Sequence, residues 1–339
     1  MRIGTIFPTV LITAMAVGCV CPRENEVSDP LLGRWAADMK SFDDQPAFWL
    51  GITKDSNDRH LATLLWRWGS PLLPEPVSCI DGVFRFRVLL KEAQERADWR
   101  FRWFTVKAIG EDSLDVVVTE ENYYGKKFAD VDHFVAHRIP EVGPAPDLST
   151  LTYGEPIDLL ANGLSDWMPM GTNAPNCWSF SKGTLTNTIR KDEKGETIHG
   201  VNLRTRRSDF ENFRLTTDFR VFPGSNSGIY LKGIYEVQVL DSFGWVNDYH
   251  NCGALYGRVV PRWTVEKKAG EWQHYDITLV DRHVTIVFNG VKIIDNAPIR
   301  GVTGGAMTSD ESNPGPIYLQ GDHSSAEYRN MVLTPVLGR

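Results

Sequence analysis

Val284-Thr285-Ile286-Val287-Phe288-Asn289-Gly290-Val291-Lys292-Ile293-Ile294 holds two β-branched runs separated by Asn-Gly. A tight hairpin turn needs positive φ at both central residues, and Asn-Gly meets that need with the least strain, so the stretch predicts an antiparallel hairpin. Upstream, Arg214 to Val221 puts Leu215, Thr217, Phe219 and Val221 on one face and Arg214, Thr216, Asp218 and Arg220 on the other. That period of two describes a strand with its apolar side against a core. No helical window has comparable strength, and short strands with Gly-rich turns continue through residues 151–339, which predicts an antiparallel sandwich there.

The first part of the chain reads as β as well. Leu61 to Trp68, Val83 to Leu90, Trp99 to Lys107 and Leu114 to Thr119 are rich in aromatic and β-branched residues, and Gly110-Glu111-Asp112 is a turn between two of them. Residues 31–139 are therefore expected to form a small antiparallel barrel or sandwich. Its opening, Leu32-Gly33-Arg34-Trp35, is similar to that of small lipocalin-like domains. Pro140, Gly143, Pro144 and Pro146 interrupt the pattern, which makes 140–150 the expected linker.

At the N-terminus, Met1-Arg2 is followed by an apolar segment, Ile3 to Val17, too short to span a bilayer, and by Ala16-Val17-Gly18-Cys19. This resembles a bacterial lipoprotein signal, which implies removal of residues 1–18, acylation of Cys19, and a polar tether over 19–30. Val20 follows the anchor, so the inner-membrane retention residue Asp is absent and the expectation is an exported lipoprotein at the periplasmic face or outer membrane. An ordinary secretory signal is the alternative, and either reading puts the mature chain outside the cytoplasm. The anchor is the only expected membrane contact, since no later run approaches the roughly 18 apolar residues of a span. Cys21, Cys79, Cys177 and Cys252 allow three disulfide pairings between which the sequence does not choose.

A formal charge of -7 leaves no electrostatic footprint for nucleic acid, which requires clustered Lys and Arg. Eleven Trp, ten Tyr and sixteen Phe suit a β-rich fold and also supply flat faces for sugar rings. The chemistry concentrates in Tyr235-Glu236-Val237-Gln238-Val239-Leu240-Asp241. Glu236 and Gln238 share a face by period two, and a bulge near Leu240 would add Asp241. The resulting Glu-x-Gln-x-x-Asp spacing is similar to the catalytic strand of laminarinase-like glucanases, with Gln238 standing where that family has an acid.

Several motifs in order carry a more specific resemblance. Asn226-Ser227-Gly228-Ile229-Tyr230-Leu231-Lys232-Gly233, Tyr235 to Ser242, Cys252-Gly253-Ala254-Leu255-Tyr256-Gly257, Gly270-Glu271-Trp272-Gln273 and Leu319-Gln320-Gly321-Asp322-His323 are similar to successive motifs of the 3-keto-disaccharide hydrolase domain family. The resemblance runs from about Ile157 to Val336. It implies a concanavalin-like β-sandwich, or jelly roll, and an oligosaccharide or glycoside substrate carrying a ketone at ring carbon 3. Such a substrate is cleaved by removal of the C2 proton and expulsion of the C1 oxygen.

For these roles the candidates are His323 or Glu236 as base, Asp241 as partner acid or orienting carboxylate, and Lys232 as the cation facing the enolate. Asn226, Tyr230, Gln238 and Gln320 are the candidate substrate-binding residues. No nicotinamide is required. A divalent ion stays open, because Glu236, Asp241 and His323 are hard or borderline ligands, although no metal-binding spacing marks them. Direct hydrolysis by Glu236 and Asp241 is a rival: their Cα atoms would stand ~13 Å apart on an extended strand, against carboxyls about 5 Å apart in a retaining pair. A lectin-like envelope domain without catalysis is the alternative function.

Overall fold

A computed structural model of the chain describes residues 29–39, 45–171 and 174–338. The expected signal peptide, Cys19 and nearly all of the tether lie outside the described residues. The described fold is all β, with short 3-10 turns at Arg96–Asp98, Leu148–Thr150 and Gly163–Asp166.

Eight antiparallel strands between Gly33 and Arg138 make the first sheet. Taken by position in the chain, they lie side by side as third, second, first, eighth, seventh, sixth, fifth and fourth. Pairing of the first strand, Gly33–Asp38, with the eighth, Lys127–Arg138, bends this sheet into a nearly closed barrel. Phe86 and Phe104 stack inside it at 5.0 Å, and Phe48 packs edge-on to Phe134 at 4.9 Å.

The rest is a concanavalin-like sandwich. One sheet of nine strands includes Phe213–Val221, Gln273–Val280, His283–Phe288, Val291–Pro298 and the long Ala326–Gly338. The expected hairpin is present, with Asn289 at φ 49° and Gly290 at φ 83° forming its turn. The opposing sheet aligns Trp167–Met170, Asn202–Thr205, Tyr318–Leu319, Asn226–Leu231 and Tyr235–Leu240.

Side-chain alternation on this five-stranded sheet positions the site. Ile229, Leu231, Val237, Val239 and Leu319 belong to the core between the two sheets. The intervening residues, Tyr230, Glu236, Gln238 and Tyr318, must then project from the opposite face. They are buried there too, so this strand is covered on both sides. Part of the cover comes from the first sheet. Its Ala47, Trp49, Leu65 and Ile139 join the core cluster of the sandwich, and the Arg258 guanidinium lies 4.3 Å over the Trp49 ring.

Candidate active site

A cavity of about 390 Å³ opens over the outer face of the five-stranded sheet. Asn226, Tyr230, Glu236, Gln238, Gln320 and His323 line it, so six of the eight candidate residues converge. Two adjacent strands supply four of them in regular register, with Tyr230 opposite Glu236 and Gly228 opposite Gln238.

Gly228 makes room for the central carboxyl. A Cβ at this position would stand 2.3 Å from Glu236 Oε1 and 2.9 Å from its Cγ. The two strands are locked by their ladder, so the acid rather than the backbone would move. Gly228→Ala is therefore expected to lower kcat at least about tenfold, with a stability loss of about 1–3 kcal/mol. Steady-state kinetics beside a thermal melt check this, and a variant with unchanged kcat would show that the carboxyl position is immaterial.

Glu236 is 3% exposed, and desolvation pushes its pKa from 4.5 up to about 8, aided by the nearby Asp322 charge and opposed by the Tyr230 hydrogen bond. Once burial has made the acid neutral, the direction of that hydrogen bond can reverse. Tyr230 Oη lies 2.8 Å from Glu236 Oε2 and 2.7 Å from the Gly304 carbonyl oxygen. One hydroxyl hydrogen cannot serve two acceptors. Both contacts are satisfied when the tyrosine donates to Gly304 and a protonated Glu236 donates to the tyrosine oxygen. Tyr230 is fixed in turn by stacking on Tyr318, ring centroids 4.0 Å apart.

In the same cavity lining His323 Nδ1 meets Asp322 Oδ1 at 2.6 Å, and the imidazole side chain is 51% exposed. That hydrogen bond, with the aspartate charge, raises the histidine pKa against a smaller opposing effect of burial. The pair has the form of a base oriented by a carboxylate. Amide side chains also line the cavity. Gln238 Oε1 accepts the Val239 N–H at 3.1 Å, which leaves its Nε2 as the donating end. Asn226 Oδ1 and Gln320 Oε1 are buried without a hydrogen-bond partner among the described residues. Buried acceptors carry a desolvation cost unless something supplies donors, and sugar hydroxyls are suitable donors.

Lys232 and Asp241 are not brought to the cavity. Lys232, at φ 54° beside Gly233 at φ 71°, is a turn residue whose Nζ contacts Glu211 Oε1 at 2.9 Å and the Glu311 carbonyl oxygen at 3.2 Å. It is a structural cation inside a neighbouring network. Asp241 lies beyond the strand Tyr235–Leu240, which pairs without the expected bulge, and its Oδ2 accepts the Gly224 N–H at 2.9 Å. With odd parity relative to Glu236 and Gln238 it closes a turn, so the Glu236–Asp241 pair does not form. Among the described residues no group of three or more His, Cys, Asp or Glu is arranged to hold a metal ion. Cys79, Cys177 and Cys252 are free thiols, which removes disulfide pairings among those three.

The cavity also has lining residues that sequence reasoning did not select. Tyr256 lies within one of the quoted motifs, and Asp322 precedes His323. Gln45, Trp68 and Gly69 come from the first sheet's connections, where no motif marks them. Gln45 Nε2 donates to Tyr318 Oη at 3.2 Å, Ser70 Oγ meets His250 Nε2 at 2.7 Å, and the Gly305 N–H donates to the Arg67 carbonyl at 2.8 Å. Gly304 permits the approach, because a Cβ there would stand 2.3 Å from the Gly69 carbonyl oxygen.

Four of the five sequence motifs thus contribute residues to one cavity wall, and a family model for the 3-keto-alpha-glucoside-1,2-lyase-like domain matches residues 156–334, more than half of the chain. The chain belongs to this family. Membership in the 3-keto-alpha-glucoside-1,2-lyase-like family makes it a carbohydrate-active protein. Two Parabacteroides distasonis ATCC 8503 structures named as candidate glycosyl hydrolases are similar to it. One is 24% identical, covering 53% of this chain and 98% of its own, at a TM-score of 0.41. The other is 26% identical, covering 57% and 93%, also at 0.41. A non-specific endo-beta-1,3(4)-glucanase, SCLam, is 11% identical, covering 57% and 93%, at 0.33. No curated protein matches the chain.

Proposed function

We propose that this chain cleaves 3-keto-glycosides by elimination across C1 and C2, with His323 as base and Glu236 as acid. A ketone at C3 acidifies the C2 hydrogen. His323, oriented by Asp322, takes that proton, and the C2–H electrons pass into an enolate on the C3 oxygen. The Gln238 amide donates to that oxygen. Collapse of the enolate restores the ketone, forms the C1–C2 double bond and breaks the C1–O bond, whose oxygen receives the Glu236 proton. Addition of water across C1–C2 completes net hydrolysis. Asn226 and Gln320 accept hydroxyl hydrogens of the bound sugar. Each contribution is of an ordinary size, acid–base catalysis supplying about 10²- to 10⁴-fold.

The protonated Glu236 carries this reading. Its burial beneath the cavity favours a neutral acid near neutral pH, and the Tyr230 hydroxyl, which also meets the Gly304 carbonyl, can accept that acid's hydrogen bond. An acid ready to protonate a departing oxygen suits elimination, and the family description names a 1,2-lyase. The test is cleavage of a 3-keto-α-glucoside in D2O, read by NMR. Elimination followed by hydration leaves deuterium at C2 of the product, whereas direct displacement retains the original hydrogen there. Cleavage without deuterium uptake overturns the mechanism. Binding of the keto sugar with no turnover favours the lectin-like alternative.

The N-terminal signal supports a separate proposal about placement. Acylation of Cys19 would tether the mature chain to a membrane, so Cys19→Ser is expected to move it from the membrane to the soluble fraction. Unchanged fractionation of that variant would remove the anchor from consideration.

A further inference from the structure

We propose that Trp68, supplied by the first sheet, is the platform for the leaving-group ring of the substrate, and so sets the preference for disaccharides over simple glycosides. The inference rests on the elimination reading above and extends it to a residue outside the family-matched region.

Glu236, at 3% exposure, is the buried acid at which the C1–O bond breaks, and Trp68, at 57% exposure, borders the same cavity. The ring attached through the departing oxygen needs a surface beyond the acid, and Trp68 is the exposed apolar aromatic ring of the cavity lining among the described residues. An indole there offers a flat apolar face, which suits the C–H face of a pyranose ring.

The platform is held in place rather than free. Trp68 Nε1 donates to Gln45 Oε1 at 2.5 Å, and the Arg67 guanidinium covers the indole at 4.1 Å from the ring centroid. Gln45 at φ 47° and Arg67 at φ 60° both adopt the left-handed region that non-glycine residues rarely occupy. Such conformations persist where surrounding contacts over-determine them, as at ligand clamps. Those contacts cross to the sandwich. The Arg67 carbonyl accepts the Gly305 N–H, and Gly69 lies where a Gly304 side chain would otherwise be. Gln45 ties this connection to Tyr318, whose ring supports Tyr230 beneath Glu236. The stacking surface and the acid are thus parts of one bonded framework, although they come from separate sheets.

The experiment compares two substrates oxidised at C3: maltose oxidised on its non-reducing ring, and methyl α-glucoside. In the full chain, Trp68→Ala is expected to lower kcat/KM about tenfold for the disaccharide and to leave the methyl glucoside within about twofold. Trp68→Phe, which keeps a flat ring but not the hydrogen bond to Gln45, should recover most of the disaccharide activity, with both variants still melting cooperatively. Equal loss on the two substrates, or full loss in Trp68→Phe as well, overturns the inference while leaving the elimination reading intact. A wild-type chain inactive on both substrates overturns the underlying reading and the inference together.

Discussion

Glu236→Gln is expected to lower kcat on a 3-keto disaccharide by about 10²- to 10⁴-fold, leave KM little changed, and stabilise the folded protein at alkaline pH. Gln fills nearly the same space and can donate an N–H to Tyr230, preserving the Tyr230–Gly304 contact, but it has no proton to give the departing oxygen. The stability gain follows from the raised pKa. An unfolded chain ionises Glu236 near 4.5, while the folded chain keeps it neutral up to about 8. Between those values the folded state binds more protons, so folding stability falls as pH rises, by at most about 5 kcal/mol over the whole window. The Gln variant lacks this dependence. Its advantage in melting temperature should be absent near pH 4 and grow through pH 8. A substrate with a nitrophenyl leaving group, which departs without protonation, should restore much of the lost rate. Equal loss on that substrate would show that Glu236 is not the acid.

The fold was legible where local pattern and long-range structure agree. Asn289-Gly290 fixes its hairpin through backbone preference alone, and the alternation of Phe213–Val221 reports a single buried face. The same period-two reading puts Glu236 and Gln238 on one face, and the family resemblance of the neighbouring motif adds Asn226 and Tyr230. It did not show that this face is buried, because the cover comes from the Thr303–Gly305 region and from the first sheet, both distant in the chain. The hydrogen bond from the Glu236 N–H to Thr303 Oγ1, 2.9 Å long, is part of that cover.

Asp241 depended on an inserted residue in the ladder. A bulge is a tertiary choice, and this strand does not make one. Lys232 belongs to a motif of the family resemblance, which makes it a candidate cation for the enolate. Its left-handed turn and the ion pair with Glu211 instead turn the ammonium aside. The aromatic and β-branched pattern extends a strand from Leu61 to Trp68. The strand closes at Trp66, and Trp68 and Gly69 become part of a cavity wall through docking against Gly304. No local signal in either segment encodes that contact.

Asp322→Asn should shift both limbs of the pH–rate profile to lower pH, a result that separates an orienting base partner from a merely structural residue. The active form has His323 neutral and Glu236 protonated. Activity therefore rises with pH through the histidine pKa, which Asp322 holds above its ordinary 6.5, and falls through the glutamic acid pKa at about 8. The Asp322 charge acts in the same direction on both groups. It stabilises imidazolium at His323 through the 2.6 Å contact, and it opposes ionisation of Glu236. Removing the charge while keeping an amide oxygen for the Nδ1–H lowers both pKa values, so the bell moves without losing a limb. His323→Ala should instead abolish the acid limb and lower kcat by about 10²- to 10⁴-fold, without rescue by a nitrophenyl leaving group, because proton abstraction at C2 precedes departure. The contrast with Glu236→Gln distinguishes base from acid, whereas pH profiles alone give the same bell for either assignment. If the nitrophenyl substrate rescues the histidine variant and not the glutamine variant, the two roles are exchanged.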